Sequence, residues 1–189
     1  MSEGMKLYDA SGTVEHVGSP TAVTVGVFDG VHRGHQALLA QLSSSAAGGM
    51  ATLAVSLTSH PSFVLGRRHS EYWLDDPDEH LRLLFDVGIT YVAVLPFTPE
   101  LAQTSACQMA RMMYNELNMR LLLLGYDGRF GSRQQDDFDQ LPLLSTALGF
   151  RLMRGEPFTV DGQPVSSSRI RETLERGAVE ETASLLGRP

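Results

Sequence analysis

Residues 21–35 read TAVTVGVFDGVHRGH. The first eight are mostly β-branched or apolar, which predicts a buried strand over residues 21–28. Asp29 and Gly30 then predict a tight turn, and apolar residues at helical spacing predict a helix over residues 33–42. This order of strand, glycine turn and helix is typical of α/β proteins, in which ligands bind at the carboxyl ends of the strands.

The rest of the chain repeats the alternation. The further predicted strands cover residues 50–57, 91–96, 120–124 and 150–153, and the further predicted helices cover residues 76–85, 105–117, 137–148, 168–176 and 179–186. Continuous apolar strands between helices indicate a parallel sheet covered on both faces. The predicted fold class is therefore α/β, a Rossmann-like, doubly wound, mostly parallel sheet. We expect a single domain over residues 1–189, with residues 1–15 as an N-terminal extension.

Composition excludes several classes of function. The 189 residues carry a formal net charge of −7, so nucleic acid is not an expected partner, because phosphate backbones bind to basic surfaces. Cys107 is the only cysteine, which excludes an internal disulfide and cysteine-rich zinc or iron–sulfur sites. Lys6 is the only lysine and lies in a polar N-terminal stretch, which argues against a Walker A loop and Schiff-base chemistry.

The sequence also lacks the signals of membrane insertion or export. No run reaches the roughly 18 apolar residues that a membrane span needs, and residues 1–15 lack the apolar core of a signal peptide. We therefore expect no membrane partner and a cytoplasmic location.

The loop after the first predicted strand carries the strongest chemical signal. Gly30 suits a left-handed turn, and Gly34 lets a ligand approach the first helical turn. His32 and His35 are three residues apart, so they face the same side of that turn, where free backbone amides favour anions. Capping or surface roles and metal ligation are the alternatives for two histidines at this spacing, but no third protein ligand is evident.

A second segment near the C-terminus has a similar character. Ser166, Ser167 and Ser168 precede a predicted helix, where hydroxyls and free amides bind phosphate oxygens, although an ordinary serine cap is the alternative. Arg169 and Arg171 are two residues apart and point to different sides of the helix. One of them is expected at phosphate and the other at a surface carboxylate, and the spacing does not choose between them.

These motifs resemble those of a known enzyme family. The pattern Gly-x-Phe-Asp-Gly-x-His-x-Gly-His at residues 26–35 resembles the HIGH-type nucleotidyltransferases, and more closely the FMN adenylyltransferase module of bacterial FAD synthetases. The resemblance implies the nucleotidyltransferase type of the predicted fold. It also implies the reaction of FMN with ATP to give FAD and pyrophosphate, with Mg²⁺ bound mainly by phosphate oxygens and no protein metal ligands assigned.

Further segments match the same family in the right order. They are His60-Pro61, residues 95–98 (LPFT), residues 125–131 (GYDGRFG), residues 161–171 (DGQPVSSSRIR) and residues 185–189 (LLGRP). The last of these resembles the junction that precedes a riboflavin kinase module, so we expect no riboflavin phosphorylation by this chain. The sequence departs from the family pattern at Leu57, Thr58, Ser59, Gly128 and Pro164.

The resemblance assigns candidate roles to individual residues. The catalytic candidates are His32, His35, Ser167 and Arg171. The ATP-binding candidates are Gly26, Val27, Phe28, Gly34, Ser166, Ser168 and Arg169. The flavin-binding candidates are Asp29, His60, Pro61, Asp127, Arg129 and Phe130.

Two alternative functions stay open at this point. One is a nucleotidyltransferase with another phosphorylated acceptor, such as a phosphopantetheine, nicotinamide mononucleotide or a polyol phosphate. The other is a relative that binds flavin or nucleotide without catalysis. The expected small-molecule partners in the preferred interpretation are ATP, FMN and FAD.

Overall fold

The structure, a computed structural model, describes residues 4–58, 73–128, 130–132 and 139–189. Within these residues, seven strands form one sheet in the order β2-β1-β5-β4-β3-β6-β7. The strands are β1 (Lys6–Asp9), β2 (Gly12–Val14), β3 (Thr21–Gly26), β4 (Ala51–Leu57), β5 (Tyr91–Leu95), β6 (Met119–Leu124) and β7 (Arg151–Arg154). Strands β3 to β7 pair in parallel, and β1 pairs antiparallel with both β2 and β5.

Helices cover both faces of this sheet, as the apolar strands predict. The helices are α1 (Arg33–Ser45), α2 (Pro77–Asp86), α3 (Ala106–Glu116), α4 (Leu141–Leu148), α5 (Ser167–Glu175) and α6 (Val179–Leu186). One core cluster joins α3 and α4 to the sheet, and a second joins α1 and α2 to the opposite face. The doubly wound, mostly parallel α/β fold is therefore confirmed.

Local sequence explains where several helices begin. Asp76 caps α2 by accepting hydrogen bonds from the backbone amides of Asp78 and Glu79. Ser105 and Gln108 form a reciprocal capping box at the start of α3. Ser166 caps α5 by accepting from the amide of Arg169, so the serine cap considered for this segment is present.

The N-terminal residues differ from the expected extension. Leu7 is almost fully buried, and its strand β1 adds to the edge of the sheet beside β5. This segment has too few apolar residues to show strand periodicity, so its pairing depends on the exposed edge of β5. A small hairpin of β8 (Thr159–Val160) and β9 (Gln163–Pro164) also forms before α5.

The winding of the sheet places one crevice at its centre. The chain runs from β3 outward through β4 to β5, and then returns to the other side of β3 as β6 and β7. The order reverses between β3 and β6, which is where doubly wound sheets bind ligands at the carboxyl ends of their strands. The loop of residues 27–32 and the loop that starts at Gly125 lie at this position.

Candidate active site

The loop after β3 has an unusual backbone. Phe28 and Val31 have positive φ angles of 52° and 32°, although neither is glycine, and Gly30 has a φ of 77°. The Phe28 ring is buried and lies over Gly26, where an added Cβ atom would come 3.1 Å from the ring. Non-glycine residues in this region store about 1–3 kcal/mol each, and such strain is common at functional sites. The loop is therefore held in shape by its surroundings.

His32 and His35 form a stacked pair at the start of α1. Their ring centroids are 3.6 Å apart with an interplanar angle of 16°. His32 caps the helix, because its Nδ1 accepts a hydrogen bond of 3.3 Å from the backbone amide of His35. The predicted common orientation of the two histidines is present in this geometry.

Both imidazoles are neutral near pH 7. Burial lowers the pKa of His32 to about 4, with a smaller contribution from the positive charge of Arg188. Burial also lowers the pKa of His35 well below its usual range, and the neighbouring His32 and His80 add to this shift. Because Nδ1 of His32 accepts a hydrogen bond, the single proton of its neutral ring lies on Nε2. The Nε2–H group of His32 is therefore a donor for an anion.

Gly34 also allows a close contact within the protein. A Cβ atom at this position would lie 2.9 Å from the Val165 carbonyl oxygen and 3.1 Å from the His32 ring. The close neighbour of Gly34 is therefore the backbone that leads into α5, although the residue also lies on a cavity wall. This contact brings the two predicted phosphate-binding segments together.

The serines before α5 lie beside the loop after β3. The Ser167 hydroxyl donates a hydrogen bond of 3.2 Å to the Asp29 carbonyl oxygen. Ser166, Ser167 and Ser168 line the same cavity as His32 and His35. The start of α5 and the start of α1 thus face one space, and each presents backbone amides of a helix N-terminus to it.

Arg169 and Arg171 have different surroundings in the structure, which the sequence spacing did not predict. Arg171 lines the cavity and forms an ion pair with Asp29. Arg169 donates to the carbonyl oxygens of Val160 and Gln163 at 3.0 and 3.3 Å, in the hairpin that precedes α5. Arg171 is therefore the arginine of the cavity, and Arg169 holds the hairpin.

Asp29 is buried, and its carboxylate is bonded to other protein groups. Its residue is 1% exposed, and burial raises the pKa of its carboxyl group. The carboxylate accepts a 2.8 Å hydrogen bond from the Leu74 amide and pairs with Arg171. Asp29 was a flavin-binding candidate, but these contacts point its carboxylate at protein groups.

The cavity itself has a volume of about 220 Å³. Its polar side contains the histidine pair, Arg171 and the serines, while Leu38, Tyr126 and Phe158 contribute apolar surface. Its walls are formed by His32, Gly34, His35, Leu38, Gly125, Tyr126, Asp127, Glu156, Phe158, Val165, Ser166, Ser167, Ser168 and Arg171. A cleft lined by both polar and apolar side chains suits a ligand with phosphates and a ring system.

Other predicted site residues have mixed placements. Asp127 lines the cavity, whereas Phe130 is 5% exposed and packs in the core cluster beneath α3. Gly26 and Val27 lie at the end of β3 and just beyond it, outside the cavity walls. His60, Pro61 and Arg129 lie outside the described residues.

Several contributors to the site had no motif that could identify them. Gly155 brings the segment after β7 over α1, and Gln41 and Glu156 exchange hydrogen bonds of 2.9 and 3.2 Å there. This packing places Glu156 and Phe158 on the cavity wall. The only sequence signal for this segment is a glycine directly after a strand, since Gly155 follows β7.

The described residues hold no group of three or more His, Cys, Asp or Glu side chains arranged to bind a metal ion. Asp127 and Glu156 are the carboxylates of the cavity wall. In the same part of the chain, no helix has the length and apolar character needed to cross a membrane.

Comparison with known proteins gives consistent matches. The sequence profile of the FAD synthetase family matches residues 14–169. The bifunctional riboflavin kinase/FMN adenylyltransferases of Haemophilus influenzae and Escherichia coli are 31% and 29% identical over 89% and 88% of this chain. This chain spans about half the length of these two relatives, 55% and 54% respectively.

A third relative has a similar length. A protein of Geobacillus thermodenitrificans, named as a candidate for the same two activities, is 32% identical over 98% of both chains. A solved structure described as a macrolide-efflux protein from Streptococcus pneumoniae superposes with a TM-score of 0.79 over 93% of this chain and 59% of that chain. Its identity is 23%, so that likeness shows the fold alone. The profile match and the Geobacillus relative establish that this chain belongs to the FAD synthetase family.

Proposed function

We propose that this chain transfers the AMP group of ATP to the phosphate of FMN, giving FAD and pyrophosphate. One observation carries the proposal beyond family membership. The stacked pair of His32 and His35 faces Arg171 and the serines at the start of α5 across one cavity at the switch point of the sheet. Two helix starts with neutral imidazole donors and an arginine form a site for a polyphosphate.

The chemistry is a direct displacement at phosphorus. An oxygen of the FMN phosphate attacks the α-phosphorus of ATP, and the bond from that phosphorus to the bridging oxygen of the β-phosphate breaks. The attacking oxygen belongs to FMN, so the scheme needs no protein nucleophile, and Lys6 and Cys107 do not line the cavity. The protein then acts by positioning the reactants and by stabilising negative charge.

Five polar residues of the cavity have roles in this scheme. His32 donates from Nε2 to an oxygen of the transferred phosphate, and His35 supports the stacked arrangement and contacts the triphosphate. Arg171, Ser167 and Ser168 hold the leaving pyrophosphate, because guanidinium and hydroxyl donors match phosphate oxygens. Leu38 and Phe158 offer apolar surface to the adenine base.

The flavin side and the metal complete the proposal. We assign the flavin to the end of the cavity near Asp127, and His60, Pro61 and Arg129 stay candidates on sequence resemblance. The reaction uses a divalent metal, for which we propose Mg²⁺, and when bound this metal would supply charge neutralisation at the phosphates. Asp127 and Glu156 are the wall carboxylates of a type that Mg²⁺ accepts. We also propose a cytoplasmic location, where ATP is available.

The test follows FAD and pyrophosphate by chromatography after the purified chain is incubated with ATP, Mg²⁺ and FMN. Formation of both products in a one-to-one ratio supports the proposal. FMN binding, read from quenched flavin fluorescence, without either product would favour a non-catalytic binding protein. Pyrophosphate release with a different phosphorylated acceptor, but not with FMN, would change the assigned acceptor.

A further inference from the structure

A second set of polar side chains lies outside the cavity that contains the histidine pair. The Ser56 hydroxyl at the end of β4 is 2.8 Å from Nε2 of His80 on α2. Nδ1 of His80 is 3.1 Å from Oδ2 of Asp75, which precedes that helix. The Asp75 side chain is 1% exposed and that of His80 is 12% exposed, and the set lies on the wall of a second cavity of about 260 Å³.

Asp75 also reaches the loop after β3. Its other carboxylate oxygen, Oδ1, accepts a hydrogen bond of 3.1 Å from the backbone amide of Gly30. Gly30 has a φ of 77° and lies between Phe28 and Val31, whose φ angles are also positive. A carboxylate that accepts this amide therefore holds the strained turn in its observed shape.

A reciprocal contact joins the same two segments. The amide of Leu74, the residue before Asp75, donates to Oδ1 of Asp29 at 2.8 Å. The other oxygen of Asp29 pairs with Arg171 on the cavity wall. The segment before α2 is thus connected through Asp29 to the arginine that we assign to the leaving pyrophosphate.

Ser56, His80 and Asp75 have the hydrogen-bond order of a serine-hydrolase triad, but the surroundings of the serine argue against that role. Ser56 is only 3% exposed and pairs within the sheet with Gly26 on one side and Val94 on the other. A nucleophilic serine needs free backbone amides beside it as donors for the oxyanion. The backbone of Ser56 pairs within the sheet and offers no such site. We therefore assign the three residues a structural role, in which Ser56 and His80 hold the Asp75 carboxylate in place.

We infer that Asp75 is a positioning residue for AMP transfer, held by His80 and Ser56 and acting through Gly30 and Asp29 on Arg171. This inference rests on the proposed function. Asp75 does not line the cavity of the histidine pair and does not touch the reactants in this scheme. Its effect is to hold the loop after β3 and the Asp29–Arg171 pair in their observed positions. No family motif that we identified in the sequence includes Asp75 or His80.

The first test compares three substitutions over a range of FMN concentrations, so that kcat and the KM for FMN are both measured. Asp75→Ala removes the acceptor of the Gly30 amide, and we expect kcat to fall about tenfold or more, as for loss of a hydrogen bond to a charged group. The KM for FMN stays near its wild-type value because the change acts on the polyphosphate side. Asp75→Asn keeps an amide oxygen for Gly30 and restores most of kcat. Asp78→Ala, which removes an exposed carboxylate from the same segment, is the matched control and stays near wild type.

The second test asks whether Asp75 acts through Arg171. If it does, the double variant Asp75→Ala with Arg171→Met has the kcat of Arg171→Met alone, because the two changes remove one coupled function. Multiplicative losses in the double variant, with similar thermal stability in each single variant, would show that Asp75 acts independently of Arg171. That result would overturn the inference.

A third readout needs no turnover. In the wild-type chain and in Asp75→Asn we expect slow hydrogen exchange of the Gly30 amide. In Asp75→Ala we expect this amide to exchange fast, while exchange of the β3 amides stays unchanged. If the wild-type chain forms no FAD, the proposed function fails, and exchange at Gly30 and calorimetric ATP affinity still test the positioning role. Unchanged Gly30 exchange and unchanged ATP affinity in Asp75→Ala, or wild-type kcat, would overturn it.

Discussion

At the scale of single residues, His32 combines two functions that are normally separate. Its Nδ1 caps α1, and this use of one ring nitrogen fixes the proton on the other. Burial keeps the ring neutral, so a donor is available without the cost of a buried positive charge. A neutral donor in a closed site is suited to charge that develops only during phosphate transfer.

The lowered pKa of His32 predicts loss of stability in acid. Its pKa is about 4 in the folded chain and 6.5 in a model peptide, so between these values the unfolded chain binds a proton that the folded chain does not. Stability from this group is therefore complete above pH 6.5 and falls as the pH approaches 4, by up to roughly 3 kcal/mol. Urea unfolding at pH 7 and pH 4.5 measures this difference.

The control variants for this measurement are His32→Asn and His16→Asn. Asparagine at residue 32 keeps a helix cap without a titrating ring, so the acid-induced loss should be smaller in that variant. His16 is exposed, and its replacement should leave the loss unchanged. An equal loss in all three proteins would contradict the assignment of the effect to His32.

At the scale of elements, the site depends on the close approach of α1 and α5. The contact at Gly34 allows no side chain, since a Cβ atom there would meet a backbone carbonyl at 2.9 Å. Helix propensity alone predicts that Gly34→Ala would stabilise α1 by up to about 1 kcal/mol. We predict the opposite sign, a loss of about 1–3 kcal/mol in the free energy of unfolding, together with reduced turnover.

Gly18→Ala is the control for that variant. Its Cβ atom would meet only the Tyr91 hydroxyl, at an ordinary distance of 3.8 Å. Chemical unfolding of both variants beside the wild-type chain decides the sign. A stabilised Gly34→Ala chain would mean that α1 and α5 have room to separate.

The two arginines of α5 give a second prediction at this scale. Arg171→Met should reduce turnover by at least about tenfold, as expected for loss of a charge-assisted contact to phosphate, and should also lower stability, because the buried carboxylate of Asp29 loses its ion-pair partner. Arg169→Met should instead loosen the β8–β9 hairpin, whose carbonyl oxygens it binds, and leave turnover closer to wild type. Steady-state kinetics and thermal melting of both variants separate the roles, and equal losses of turnover would contradict this separation.

Features that depend on short stretches of sequence were predictable from the sequence alone. The central strands and their helices were predicted because apolar periodicity and caps are local, and the histidine pair was found because three-residue spacing determines a helix face. The Asp75–His80–Ser56 set was not found, because it joins a strand to a helix that starts about twenty residues later. The choice between Arg169 and Arg171 also needed the hairpin and Asp29, which are distant in sequence.

At the scale of the whole molecule, the sheet brings together loops from both halves of the chain. The histidine loop follows β3, and the loop of Asp127 follows β6 on the other side of the switch point. The C-terminal residues close the arrangement, since Arg188 donates to the Gly30 carbonyl oxygen at 2.7 Å. Strands β1 and β2 escaped prediction because the pattern of residues 6–14 is weak, and because β1 pairs with the distant strand β5 while β2 pairs with β1.

This architecture predicts how the chain responds to metal removal. Because the described residues contain no metal-binding cluster of three ligands, a chelator should leave the thermal unfolding temperature unchanged while it stops FAD formation. Added Mg²⁺ should restore turnover, since the metal arrives with the phosphates of ATP. A large fall in the unfolding temperature on chelation would instead indicate a structural metal site.

The central claim is that the stacked histidine pair is the centre of AMP transfer. The most direct test measures FAD formation by His32→Ala, His35→Ala and the exposed-site control His16→Ala under the conditions used for the wild-type chain. We predict that each of the first two variants loses about 10²-fold or more in kcat, as expected for loss of an oxyanion-type donor, while His16→Ala keeps its activity. Near wild-type turnover in both His32→Ala and His35→Ala would contradict the claim.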